Sequence, residues 1–203
     1  MKRDIVLLGG GGHCRACIDV IERGGDFAVV CIVDLPERLG ARVLGYPVSA
    51  TDTDLPALVQ RHGLFLVTAG QIKSPKLRIR LFEAVSALGG ELPVIVSPLA
   101  YVSPHARLGA GTIVMHGAMV NAGAEVGRNC IINSRALVEH DVVIGDHCHI
   151  STGALINGGV VVGEETFWGS GAVSREGVHV GRGCIIGCNA TIKQSLTAGE
   201  IIR

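Results

Sequence analysis

From Val96 onward the apolar positions of the chain fall on a period of six. Stepping by six gives Val102, Leu108, Val114, Val120, Val126, Ile132, Val138, Ile144, Ile150, Ile156, Val162, Trp168, Ser174, Val180, Ile186 and Ile192, with Ser174 the one polar member. Four residues after these stand mostly small side chains, from Ala100 and Ala106 to Cys184 and Ala190, before the larger Leu196. Neither a helical nor a strand period accounts for this spacing. It predicts short strands stacked as a β-helix of hexapeptide repeats. A second period of eighteen, in Gly109, Gly127, Gly145, Gly163 and Gly181, makes three hexads one coil. Equivalent positions then stack about 4.8 Å apart in parallel ladders. Two further columns, Ile113/Ile131/His149/Phe167/Ile185 and Met119/Leu137/Leu155/Val173, should point outward by strand alternation. Walls this apolar are expected to be covered by another copy of the chain or by a ligand tail.

The first part of the chain follows a different rhythm. A buried strand over residues 4–8 runs into Gly9-Gly10-Gly11-Gly12-His13 and then a helix to about Arg23. A second strand, Phe27–Val33, ends in Asp34, and a third, Leu64–Thr68, runs into Ala69-Gly70-Gln71. Helices near 54–61 and 74–88 complete the alternation, which predicts a small Rossmann-like parallel sheet. Backbone N–H groups at a glycine-rich helix start bind phosphate, and an acid at the next strand end binds ribose. Gly10, Gly11, Gly12, His13, Asp34, Ala69 and Gly70 therefore form a candidate nucleotide site at the strand ends. The alternative is a tight turn with an exposed Asp, since Cys14 stands where a third glycine would complete the dinucleotide fingerprint. The expected division is an α/β domain over 1–92 and the β-helix over 93–203.

Composition narrows the function. Eighteen basic and eighteen acidic residues cancel, and aromatics make up 3% of the 203 residues, so nucleic acid is not an expected partner. No apolar run reaches the roughly 18 residues of a membrane span, and the N-terminus lacks a cleavage site. A cytoplasmic protein is expected. Cys130, Cys148 and Cys184 fill small corner positions of the repeat as ordinary hydrophobes. Cys14 and Cys17 form a CxxC without a second pair for zinc; packing of the first helix is the preferred account over a redox pair.

The candidate chemistry lies at Val138-Glu139-His140-Asp141. One coil earlier the positions of His140 and Asp141 are Ala122 and Gly123, and one coil later they are Gly158 and Gly159. The pair thus stands in a notch between residues with almost no side chain. An adjacent carboxylate fixes an imidazole's tautomer and raises its basicity. The competing readings are a solvated corner histidine and a zinc site with His147 and His149.

These features resemble the left-handed β-helix acetyltransferases acting on nucleotide sugars, including the sialic-acid O-acetyltransferase-like proteins. The resemblance covers nearly the whole chain and is carried by Gly9–His13, Asp34, Ala69-Gly70, Asn133 and the motif around His140. It implies the left hand of the β-helix, a homotrimer, acetyl-CoA as co-substrate and no metal. It implies that His140 is the catalytic base, with Asp141 in place of the family's frequent Glu. The nucleotide sugar is expected on the first-domain loops and Asn133. Acetyl-CoA is expected on His149, Gly158, Ser170 and Gly187, and a backbone N–H or His149 would hold the thioester oxygen. The family usually ends with a further Gly-x-Pro-Ala segment that is not found before Arg203, so part of the CoA site is expected to be missing or built differently. N-acetylation of an amino sugar is the expected reaction. O-acetylation, a non-catalytic nucleotide-sugar-binding trimer and an NAD-dependent oxidoreductase are the alternatives.

Overall fold

A computed structural model describes residues 2–203. The chain opens with β1 (Arg3–Leu8), α1 (Gly12–Gly24) and β2 (Phe27–Val33), followed by β3 (Arg42–Val43) and β4 (Tyr46–Ala50). Next come α2 (Leu55–His62), β5 (Phe65–Val67) and α3 (Lys76–Ala87). Their sheet runs in the order β3-β4-β2-β1-β5, parallel except for the β3-β4 hairpin. β1 is an interior strand, paired on both sides by β2 and β5, and buries Ile5, Val6, Leu7 and Leu8 completely, which explains its unbroken apolar run. Cys14 and Cys17 of α1 are free and fully buried, and burial raises both thiols above their ordinary range. They pack against the sheet as small hydrophobes.

From Ile95 the chain becomes a left-handed parallel β-helix with two-residue strands on three faces. The register pairs residues eighteen apart, as in Ile113↔Ile131↔His149↔Phe167 and Val120↔Val138↔Ile156. The sixfold series fills the prism, with Trp168 the largest fully buried side chain; its indole donates to the Ala172 carbonyl at 3.1 Å. Every corner from residue 111 to 189 repeats a left-handed backbone residue at sixfold spacing. Glycine holds most of these positions, but Asn129, Arg135, Asp141 and His147 occupy four successive ones.

One expectation is corrected. The column Ile113/Ile131/His149/Phe167 is not an exposed wall awaiting another molecule. It is buried beneath the chain's own N-terminal part, where Ile113, Met115 and Ile131 share a core with Ile5, Leu7, Cys14 and Ile18. Only Met119/Leu137/Leu155/Val173 stays open, with Met119 43% and Leu155 39% exposed. The repeat specifies which residues leave the prism, and not what lies against them.

A buried cation joins the two parts. Arg78, on α3, is fully buried and donates to the carbonyls of Val67 and Ala69 at 2.9 and 2.6 Å. Its other terminal nitrogen donates to the Asn129 backbone and side-chain oxygens on a β-helix corner, at 3.1 and 2.8 Å.

Candidate active site

The expected site residues fall into separate groups. In the first, the Gly10 N–H donates to Asp34 Oδ2 at 2.9 Å and the Leu35 N–H to Asp34 Oδ1 at 2.9 Å. Asp34 therefore braces the glycine loop as well as facing the cavity at the strand ends. Gly9 has φ +104°, and a Cβ there would lie 2.9 Å from the Ala69 nitrogen, so only glycine lets these two loops touch. Gly11 and Gly12 begin α1 without a side-chain cap or a first-turn acid. That leaves its N–H groups available to an anion.

A second group is sealed at the junction of the two parts. His149 is 6% exposed. Its Nδ1 lies 2.6 Å from the Gln71 carbonyl and so carries the proton. Its Nε2, 3.0 Å from the Asn133 amide nitrogen, then accepts. Both ring nitrogens are occupied, which leaves no N–H for a thioester oxygen. His13 lies against the same ring, with centroids 6.4 Å apart. Burial lowers the His149 pKa to about 4 and the His13 pKa to about 3. Sequence spacing gave no sign of Gln71's part here.

The third group stands on the corner after the open face. His140 Nδ1 lies 2.9 Å from Asp141 Oδ2, so Nδ1–H donates to the carboxylate and Nε2 keeps its lone pair. The hydrogen bond to Asp141 leads the causes that raise the His140 pKa, with the charges of Asp141 and Glu139 adding to it. Glu139 is itself held, accepting from Asn121 Nδ2 at 3.0 Å and from the His140 N–H at 3.1 Å. Gly158 lies in the next coil, where a Cβ would fall 2.7 Å from His140 Cε1 and Nε2. The glycine is required by the imidazole's position. Ser174, the polar exception in the inward series, accepts the Asn157 N–H at 2.9 Å, and Asn157 Nδ2 donates to its carbonyl. That pair fixes the backbone just before Gly158. Its signal was in the sequence, as a hydroxyl among aliphatics.

Ser170 and Gly187 lie on a different corner, between the buried and open faces. Ser170 Oγ is 2.9 Å from Ser151 Oγ. In one chain the open face separates them from His140. Among the described residues no group of three or more His, Cys, Asp or Glu is arranged to hold a metal ion.

This is the scaffold and corner chemistry of an acyl-transferring β-helix, and sequence and structure comparisons agree. Residues 4–85 match the PglD N-terminal domain, and residues 123–158 match the bacterial transferase hexapeptide (six repeats). No curated protein matches the chain in sequence. The acetyltransferase domain of PglB from Neisseria gonorrhoeae, solved with acetyl coenzyme A, is 32% identical with a TM-score of 0.92. The match covers 99% of this chain and 96% of that one. PerB from Caulobacter crescentus, solved with CoA and GDP-perosamine, is 35% identical with a TM-score of 0.90, covering 98% and 92%. That perosamine N-acetyltransferase was also solved with a histidine replaced by Asn and by Ala, each with CoA and GDP-perosamine. WeeI from Acinetobacter baumannii, 20% identical with a TM-score of 0.88, shares the fold. The chain belongs to the hexapeptide-repeat acetyltransferases that carry a PglD-type N-terminal domain.

Proposed function

We propose that the enzyme transfers acetyl from acetyl-CoA to the amino group of a nucleotide-linked sugar, with His140 as general base. The observation that carries this reading is the His140–Asp141 hydrogen bond on a corner where Gly158 leaves Nε2 uncovered. The relatives solved with acetyl-CoA, or with CoA and GDP-perosamine, support the choice of substrates. As the amine nitrogen bonds to the acetyl carbon, His140 Nε2 takes its proton and Asp141 holds the imidazolium. The C–S bond breaks, and the proton returns to the departing thiolate. Since both His149 nitrogens are engaged, a backbone N–H is assigned to the thioester oxygen.

Residues 1–92 are assigned to the nucleotide, with its phosphates on the N–H groups of Gly11 and Gly12, next to Gly10 whose N–H holds Asp34, and its ribose at Asp34. His13, Ala69, Gly70 and Asn133 border the acceptor. Residues 93–203 are assigned to acetyl transfer, with acetyl-CoA along Gly158, Ser170 and Gly187 and His149 bracing Asn133 beside it. The active enzyme is a homotrimer whose copies meet on the open Met119/Leu137/Leu155/Val173 face, so that corners of neighbouring copies complete each site. Its assigned location is the cytoplasm.

No helix among the described residues is long and apolar enough to cross a membrane. Release of CoA thiol, measured with matched amino and hydroxyl sugar nucleotides, tests the reaction. Turnover of the amine alone is expected. Turnover of the hydroxyl alone would make the enzyme an O-acetyltransferase, and no turnover of either would leave a binding protein. Light scattering should give a trimer, and a stable monomer at micromolar concentration would overturn the shared site.

A further inference from the structure

The cavity beside Asp34 contains side chains that acetyl transfer leaves unexplained. Its volume is about 120 Å³, and Leu35, Asp52, Leu77 and Arg80 line it together with Gly9 and Asp34. Leu35 and Leu77 are 58% and 48% exposed. Two bare leucines on the walls of one cavity make an apolar slot suited to a flat ring. An ion pair stands at the slot, with Arg80 Nη1 3.0 Å from Asp52 Oδ2 and both side chains exposed. Local structure does not consume Asp52. Thr51 N and Oγ1 donate to Asp54 at 2.8 and 3.1 Å, so Asp54 makes the capping box of that turn. Asp52 and Asp34 also line an adjoining hollow of about 180 Å³ with Thr51 and Thr53.

The order of these groups matches the order of a nucleotide. The α1 N-terminus suits phosphate, Asp34 links that loop to the cavity and suits ribose, and the leucine slot lies beyond. At the slot a carboxylate, which only accepts, sits beside a guanidinium, which only donates. We propose that this pair reads the edge of a guanine base. Asp52 accepts from N1–H and the 2-amino group, and Arg80 donates to O6. Uracil and thymine have a carbonyl where guanine has the 2-amino group, and that oxygen would meet the carboxylate. Cytosine and adenine set a ring lone pair against Asp52 and an amino group against Arg80. Only guanine has two adjacent donors beside an acceptor. This assignment rests on the nucleotide-sugar reading above and names its base.

Calorimetry with free GDP, IDP, UDP and inorganic pyrophosphate tests it on the full-length enzyme. A hydrogen bond to a charged group corresponds to on the order of ten- to a hundredfold in affinity. GDP should bind at least about tenfold tighter than UDP, and IDP, which lacks only the 2-amino group, should lose about tenfold against GDP. Asp52→Ala should bring GDP and IDP together and leave pyrophosphate unchanged. Arg80→Met should weaken GDP and also spare pyrophosphate, which guards against a misfolded Asp52 variant. Equal binding of GDP and IDP, or tighter UDP, in the native enzyme overturns the base assignment and keeps the nucleotide site. Loss of pyrophosphate binding in Arg80→Met would make Arg80 a phosphate ligand and also overturn it. Failure of every nucleotide to bind would remove the nucleotide-sugar reading along with it.

Discussion

The corner that carries His140 and the junction that carries His13 and His149 use one side chain in opposite ways. At the corner the imidazole is exposed, paired with Asp141 and more basic than usual. At the junction His149 is buried between a carbonyl and an amide, and burial makes both imidazoles poor bases. Burial disfavours the charged form, whereas a nearby carboxylate favours it. The difference separates a group suited to accepting a proton from groups that stay neutral and hold two parts of a molecule together. Three histidines close in sequence, His140, His147 and His149, therefore do not form one site.

The comparison is sharpest in variants. His140→Ala should lower kcat by about 10²–10⁴-fold while both substrates still bind. Near-native kcat in correctly assembled protein would place the base elsewhere. Gly158→Ala puts a methyl group where the ring stands, so kcat should fall by about tenfold or more at nearly unchanged Tm. An unaffected rate would mean that the observed ring position is not the reactive one. His149→Ala should act chiefly on folding, costing about 1–3 kcal/mol by leaving the Gln71 carbonyl and Asn133 unpaired. Urea denaturation measures this, and a large kcat loss at full stability would instead make His149 part of the chemistry.

The smallest effects are read along the pH axis. Asp141→Asn should move the rising limb of kcat to lower pH, because it removes the carboxylate that contributes most to raising the His140 pKa and leaves only the charge of Glu139; a limb that stays put would detach Asp141 from the base. The junction histidines have folded pKa values below the ordinary 6.5. Their contribution to stability is complete above that value and declines as pH falls toward about 4 for His149 and about 3 for His13. His149→Gln should therefore narrow the loss of stability between pH 7 and pH 5.

Much of this was legible in the sequence. The sixfold and eighteenfold spacings gave the coil, the ladder partners and the glycine beneath His140, because a β-helix converts sequence offset directly into neighbourhood. The sequence reading failed where contacts skip between parts. Nothing in the column Ile113/Ile131/His149/Phe167 distinguishes a wall covered by α1 from one covered by another subunit. Asp34 was legible as a strand-end acid, but its hydrogen bond to Gly10, 24 residues away, was not. The capping box at Thr51 and Asp54 was readable in principle, and would have singled out Asp52 as the acid without a local task.

Arg78 has a mechanical consequence. Its guanidinium is closed off from water, and its two terminal nitrogens are held by oxygens from both parts of the molecule while Nε has no partner. Hinging the parts open would break both of its hydrogen bonds to Asn129, each a charge-assisted bond worth about 1.5–3 kcal/mol. The span from glycine loop to β-helix is thus set by the protein like the jaws of a locked calliper. A ligand that bridges it has to match a length it cannot adjust.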